Sequence, residues 1–159
     1  MEYYQFSEST TGFPGDSTLM LDESSTATLE SLAGKVFQMW TGNDYSFATV
    51  KPTRWKGRLF KIRLSDGRTL TCSRNQRFFI DNRLSHLSLN EFQQLKKRKR
   101  IPKMAVYTNQ SNNPKYFNEY DITDVSKIED NKTRYVVLTL DSTNRCYING
   151  ILVKSSEQK

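Results

Sequence analysis

The sequence predicts an all-β fold of short antiparallel strands with one short helix. Runs rich in Val, Ile, Thr, Tyr and Phe recur about every 8–12 residues, the spacing of a sheet-built domain. Asp66-Gly67 and Asn149-Gly150 lie between such runs, and both pairs tolerate the positive φ angles of a tight hairpin. The one convincing amphipathic helix is Leu87 to Leu95.

Taken in order, Met1 to Thr11 is polar and Ser/Thr-rich, and reads as a flexible leader or an upstream flank. Ser17 to Leu21 is the first strand, closed by the polar turn Asp22-Glu23-Ser24-Ser25. Thr28 to Lys35 reads as a single helical turn or connector ending at glycine. Val36 to Trp40 is a strand, Thr41 to Asp44 a turn, and Phe47 to Thr53 another strand. Arg58 to Leu64 and Thr69 to Cys72 flank Ser65-Asp66-Gly67-Arg68 and should pair as a hairpin. Phe78 to Ile80 adds a short strand. Thr108 to Tyr116 is a polar loop, a natural site for an insertion. Tyr120 to Val125 and Tyr135 to Leu140 are strands, followed by Cys146 to Val153, which turns through Asn149-Gly150. No internal repeat of about 20–50 residues is visible.

A chain of 159 residues bounds the answer to one domain with a modest core. Hydrophobic residues make up 36%, low for a globule, and aromatics at 12% restore some burying capacity. No run approaches the roughly 18–20 apolar residues of a membrane span, and Met1-Glu2-Tyr3-Tyr4 lacks the basic flank and apolar stretch of an export signal. A soluble, intracellular protein with no membrane partner is expected. Cys72 and Cys146 are too few for a disulfide framework and too far apart for a CxxC motif, so they read as buried reduced thiols. Neither a metal nor any other cofactor is expected.

The net charge of +7 favours anionic partners, and the excess is concentrated in Lys96-Lys97-Arg98-Lys99-Arg100. Five consecutive cations repel one another unless solvated or neutralised. At the end of a helix they suit the macrodipole as a solvated terminus. Phosphate neutralisation would make the run a nucleic-acid contact, and a targeting signal is the third reading. No interleaved aromatics of the single-strand-binding kind accompany it.

Four stretches stand in a telling order. Gly15-Asp16-Ser17-Thr18-Leu19 leads through a connector to Leu32-Ala33-Gly34-Lys35-Val36. Trp40 to Ser46 lies within the second stretch, Val36 to Thr53. Leu64 to Ile80 contains Ser73-Arg74-Asn75-Gln76, and Tyr135 to Leu140 pairs with Tyr147 to Val153 near the end. Together they resemble the Hint family of inteins and hedgehog-type domains, with the second stretch similar to inteins of viral and bacterial ribonucleotide reductases. The resemblance covers Gly12 to Ser156. It implies a horseshoe-like Hint domain over 12–156, a tail at 157–159, and the segments around Gly12 and Ser155 meeting on adjacent central strands. It also points to a viral or phage source, hence the host cytoplasm or the virion.

The chemistry that the family carries meets a series of departures. A Cys or Ser at the first position attacks its own preceding carbonyl; the matching residue is Gly12, which has no nucleophile. A Thr-x-x-His motif supplies a hydroxyl and a general acid; Ser73 keeps the hydroxyl, but Gln76 cannot deliver a proton near neutral pH. The usual aspartate of the penultimate strand aligns with Val137. The terminal His-Asn aligns with Lys154-Ser155, and serine has no amide to cyclise. Ser156, first after the junction, is of a competent type. The lone histidine, His86, falls in the connector before the helix, away from these positions.

Losing several members of one catalytic unit leaves no splicing pathway. The sequence therefore predicts a splicing-inactive, intein-derived domain, not an enzyme, reused as a structural or protein-binding module. Two alternatives stand beside it. One is a basic nucleic-acid-binding protein on an intein-derived scaffold, using Lys96 to Arg100. The other is an intein variant with blocked splicing, although blocking needs only the terminal residues changed.

Overall fold

The computed structural model describes residues 12–22, 24–41, 44–54, 57–79, 86–97, 103–107, 117–140 and 145–157. The expected leader (residues 1–11) and polar loop (residues 108–116) lie outside these residues. Fifteen strands and two short helices make up the described chain. The first half runs β1 (Phe13–Pro14), β2 (Thr18–Met20), β3 (Thr26–Thr28), α1 (Leu29–Leu32), β4 (Val36–Trp40), β5 (Tyr45–Thr53), β6 (Leu59–Leu64), β7 (Thr69–Ser73) and β8 (Arg77–Phe79). The second half runs β9 (His86–Ser88), α2 (Leu89–Lys97), β10 (Lys103–Tyr107), β11 (Phe117–Ile128), β12 (Arg134–Thr139), β13 (Arg145–Ile148), β14 (Ile151–Lys154) and β15 (Ser156–Glu157).

The strands form two sheets. In the smaller, β1, β12, β5 and β4 are neighbours in that order, with β15 also on β12. The larger runs β3-β2-β13-β14-β10-β11-β6-β7, with β8 on β14 and β9 on β8. Every pairing between named strands is antiparallel except β12 with β15. Both hairpin signals act as the sequence predicts. Gly67 adopts φ 92°, and Leu64 N–H donates to Arg68 O at 2.8 Å to close the β6–β7 turn. Asn149 and Gly150 adopt φ 53° and 79°, joining β13 to β14. Asn149 is also a tie between distant strands: its Oδ1 accepts from Thr18 N–H (2.9 Å) and Oγ1–H (3.1 Å), and its Nδ2 donates to Thr69 O (3.2 Å).

The helix starts where a capping pair sets it. Ser88 Oγ accepts from Glu91 N–H at 3.1 Å and donates to Glu91 Oε1 at 3.0 Å, the reciprocal satisfaction that fixes a first turn. Inside, Leu19, Met39, Val50, Ile62, Leu70, Val137 and Ile151 belong to one large buried cluster. A second, smaller cluster holds Met20, Trp40, Phe79, Tyr147 and Leu152. Several elements differ from expectation. Strands β1, β3, β9, β10 and β15 are additional to those the sequence predicts, and β11 extends over 12 residues, with an irregular register between Ile122 and Asp124. His86 is not in a connector but on β9, opposite Phe79. At the other end, β15 carries Glu157, so regular pairing continues one residue past Ser156.

Candidate functional site: two chain ends on one strand

β12 is the spine of the site. β5 pairs with it from Arg134 to Thr139 and so fills one edge completely. The other edge takes β1 at its start, with Phe13 opposite Tyr135 and Pro14 opposite Arg134. It takes β15 at its end, with Ser156 beside Leu138 and Glu157 beside Thr139. One step further along the first register, Gly12 faces Val136. The two chain ends therefore abut along a single strand edge, two β12 residues apart, or roughly 7 Å. The sequence placed them on adjacent strands; they share one neighbour instead.

Gly12 is buried, and its missing side chain is a packing requirement. A Cβ at this position would lie 2.8 Å from Arg134 Cβ, 3.4 Å from Arg134 Cγ and 3.6 Å from Thr53 Cγ2. The stem of Arg134 occupies the space where a nucleophilic side chain would begin. Arg134 is 1% exposed, and a buried guanidinium must find partners. It donates to Asp130 Oδ1 (2.5 Å), Gly57 O (3.1 Å), Asp130 O (3.3 Å) and Lys132 O. Burial works to raise the Asp130 carboxyl, but the hydrogen bonds from Arg134 and the Lys132 backbone outweigh it and hold the pKa below its usual 3.8. Arg134 does not stand out in the sequence. Its sole signal is Asp130 four residues earlier, a pattern that surface ion pairs share.

At the other junction, Gln76 replaces the expected histidine and keeps a donor in place. Its Nε2 donates to Lys154 O at 2.8 Å and to Arg77 O at 3.0 Å. The backbone pins it as well: Gln76 N–H donates to Ser73 O (3.2 Å), and Leu89 N–H donates to Gln76 O (2.9 Å). Lys154 O belongs to the peptide bond that precedes Ser155. Ser155 is buried, and its hydroxyl has no hydrogen-bond partner; the Ser73 hydroxyl, fully buried at the end of β7, has none either. Val137, where the resemblance expects an aspartate, is a buried member of the main core, opposite Val50. Lys154 is half-buried at the end of β14, and Ser156 opens β15.

The structure thus brings Gly12, Val137 and Ser156 to one strand, and joins Gln76 to the Lys154–Ser155 peptide. Of the basic run, Lys96 and Lys97 end α2, and Arg98 to Arg100 lie outside the described residues. Both cysteines are buried and unpaired, and burial pushes their thiols far above the ordinary range, so neither is a ready nucleophile. No helix among the described residues is long and apolar enough to cross a membrane.

Comparison with solved structures follows the same lines. A variant of the Ssp DnaB mini-intein superposes with a TM-score of 0.75, covering 96% of this chain and 99% of that one at 15% identity. The chain has the intein fold. The DnaB intein of Synechocystis sp. PCC 6803 matches with a TM-score of 0.72 over 92% of this chain and 99% of that one at 17% identity. The TvoVMA intein matches with a TM-score of 0.70 over 91% and 96% at 11% identity. In sequence, an alignment 104 positions long, covering 57% of this chain, is 29% identical to the ribonucleoside-diphosphate reductase large subunit of Invertebrate iridescent virus 6, but spans 11% of that protein. No family profile matches the chain. On this intein fold, Gly12 and Ser156 occupy the two ends of the strand edge just described.

Proposed function

We propose that this chain is an intein-derived Hint domain that does not splice, and that serves as a structural or protein-binding module of viral or phage origin. The observation that carries the reading is the packing of Gly12 against Arg134. A missing nucleophile can be replaced by one substitution, but here the volume for its side chain is filled as well. Val137 supports the same reading, because an aspartate there would have to enter an apolar core. What remains is a folded β scaffold whose junctions are packed as interior.

The test is thiol chemistry at the first junction. With a flanking domain fused before Gly12, added thiol cleaves a thioester if one forms. The expected result is no fragment beginning at Gly12 by mass spectrometry. Such a fragment would reveal an active nucleophile and overturn the reading.

A further inference from the structure

We propose that β4 is a self-association edge, along which a second copy of this chain pairs antiparallel about Gln38. The inference rests on the protein-binding part of the reading above and deepens it by naming the partner. β4 ends the smaller sheet, and among the described residues no strand pairs with its outer edge. Thr41 N–H donates to Asp44 O at 2.9 Å where β4 turns into β5. From that bond the ladder alternates, so Met39 and Phe37 bond inward to β5, while Gln38 and Val36 turn N–H and C=O outward. Sheet proteins shield such an edge with charge, proline or a bulge. Val36-Phe37-Gln38-Met39-Trp40 has no charged residue and no proline, and its register with β5 runs unbroken.

The side chains beside this edge support pairing. Every exposed large hydrophobic among the described residues (Val36, Tyr45, Phe47 and Leu140) lies on β4, on β5 or just past β12. Val36, the most exposed at 67%, sits on the edge strand itself. Gln38 is opposite Phe47, whose carbonyl accepts from Leu140 N–H at 3.0 Å, so these three form a row across the sheet. A two-fold axis at Gln38 pairs outward residues with outward residues: Gln38 meets its own copy, and Val36 meets Trp40 of the other chain. There Val36 lies against the Trp40–Tyr45 ring pair, whose centroids are 5.1 Å apart. The charges agree with the antiparallel sense. Lys35 is exposed before β4 and Asp44 is exposed past its end. Antiparallel pairing sets Lys35 of each copy toward Asp44 of the other, whereas parallel pairing sets like charges together.

Sedimentation equilibrium of the full chain, from low micromolar to near-millimolar concentration, should show a monomer–dimer equilibrium. Gln38→Pro removes an outward N–H and leaves the inward ladder to β5 in place. It should weaken the dimer at least about tenfold without changing the far-ultraviolet circular dichroism. Gln38→Cys gives a second arm, because it sets a thiol at the two-fold axis while both native thiols are buried. Facing residues that exchange both backbone bonds stand about 5.5 Å apart at Cα, within disulfide reach. Mild oxidation should therefore link Gln38→Cys chains to each other, and link Val36→Cys chains far less. A monomer at every concentration overturns the proposal. A dimer that Gln38→Pro leaves unchanged overturns it too, including one that Phe47→Lys disperses, which is a face-to-face pair. Equal cross-linking at positions 36 and 38 also overturns it. None of these results touches the non-splicing reading, which is tested by thiol cleavage at Gly12.

Discussion

Gly12 and Arg134 share one packing volume: a methyl group on the glycine would stand 2.8 Å from the arginine Cβ. That approach is closer than van der Waals contact allows, and neither atom is the free end of a flexible side chain. The arginine itself is held by Asp130 and by carbonyls of Gly57 and Lys132. Relief therefore requires β1 and β12 to move apart.

Gly12→Ala should destabilise the fold by about 1–3 kcal/mol, the usual cost of overpacking a filled site. Gly12→Cys should cost more and still give no thiol-dependent cleavage. Urea denaturation midpoints, compared at equal m-value, measure the first; intact mass after thiol treatment measures the second.

Arg134→Met removes the partner of Asp130 and leaves the Gly57 carbonyl without its donor. The expected loss is about 2–3 kcal/mol, below the range for a fully buried pair because Asp130 keeps access to water. The pH dependence has a definite sign. The Asp130 pKa is lowered in the folded state, so its contribution is present above the unfolded value near 3.8 and is lost as pH falls through the folded value. Wild type should therefore lose its advantage over Asp130→Asn below about pH 4. Thermal midpoints of the two proteins across that range measure the effect; parallel curves would contradict it.

Asn149 combines a left-handed backbone with three side-chain hydrogen bonds. Asn149→Ala loses both features and should cost about 2–4 kcal/mol. Asn149→Gly keeps the turn and should recover roughly 1 kcal/mol of that. Equal stabilities for the two variants would show that the turn itself carries none of the cost.

If the basic run contacts nucleic acid, affinity for a duplex should fall steeply with salt, and replacing Lys96 to Arg100 by Gln should flatten that slope. The module reading expects no salt-dependent shift of duplex or single-stranded DNA in a mobility assay. A shift that the Gln variant loses would move the account to a nucleic-acid-binding protein.

Much of the fold was legible because local rules and tertiary packing agree. Val36 to Trp40 is β-prone throughout, and it forms a strand with those limits. Asp66-Gly67 and Asn149-Gly150 dictate hairpins whatever surrounds them. The elements that were missed depend on distant partners: β3 is three residues paired with β2, and β15 is two residues aligned by β12. Arg134 was illegible for a different reason. Arginine is ordinarily a surface residue, and only the carbonyls delivered by Gly57, Asp130 and Lys132 make its burial affordable. The partner of Gln76 was hidden likewise, since a contact across 78 residues leaves no trace in spacing.

The most direct test of the central claim is a search for joined flanks. The chain is expressed between two folded reporter domains, and the purified product is followed by intact mass with and without thiol. The account predicts no ligated reporter pair under either condition. A mass equal to the two reporters joined, with this chain excised, would contradict it.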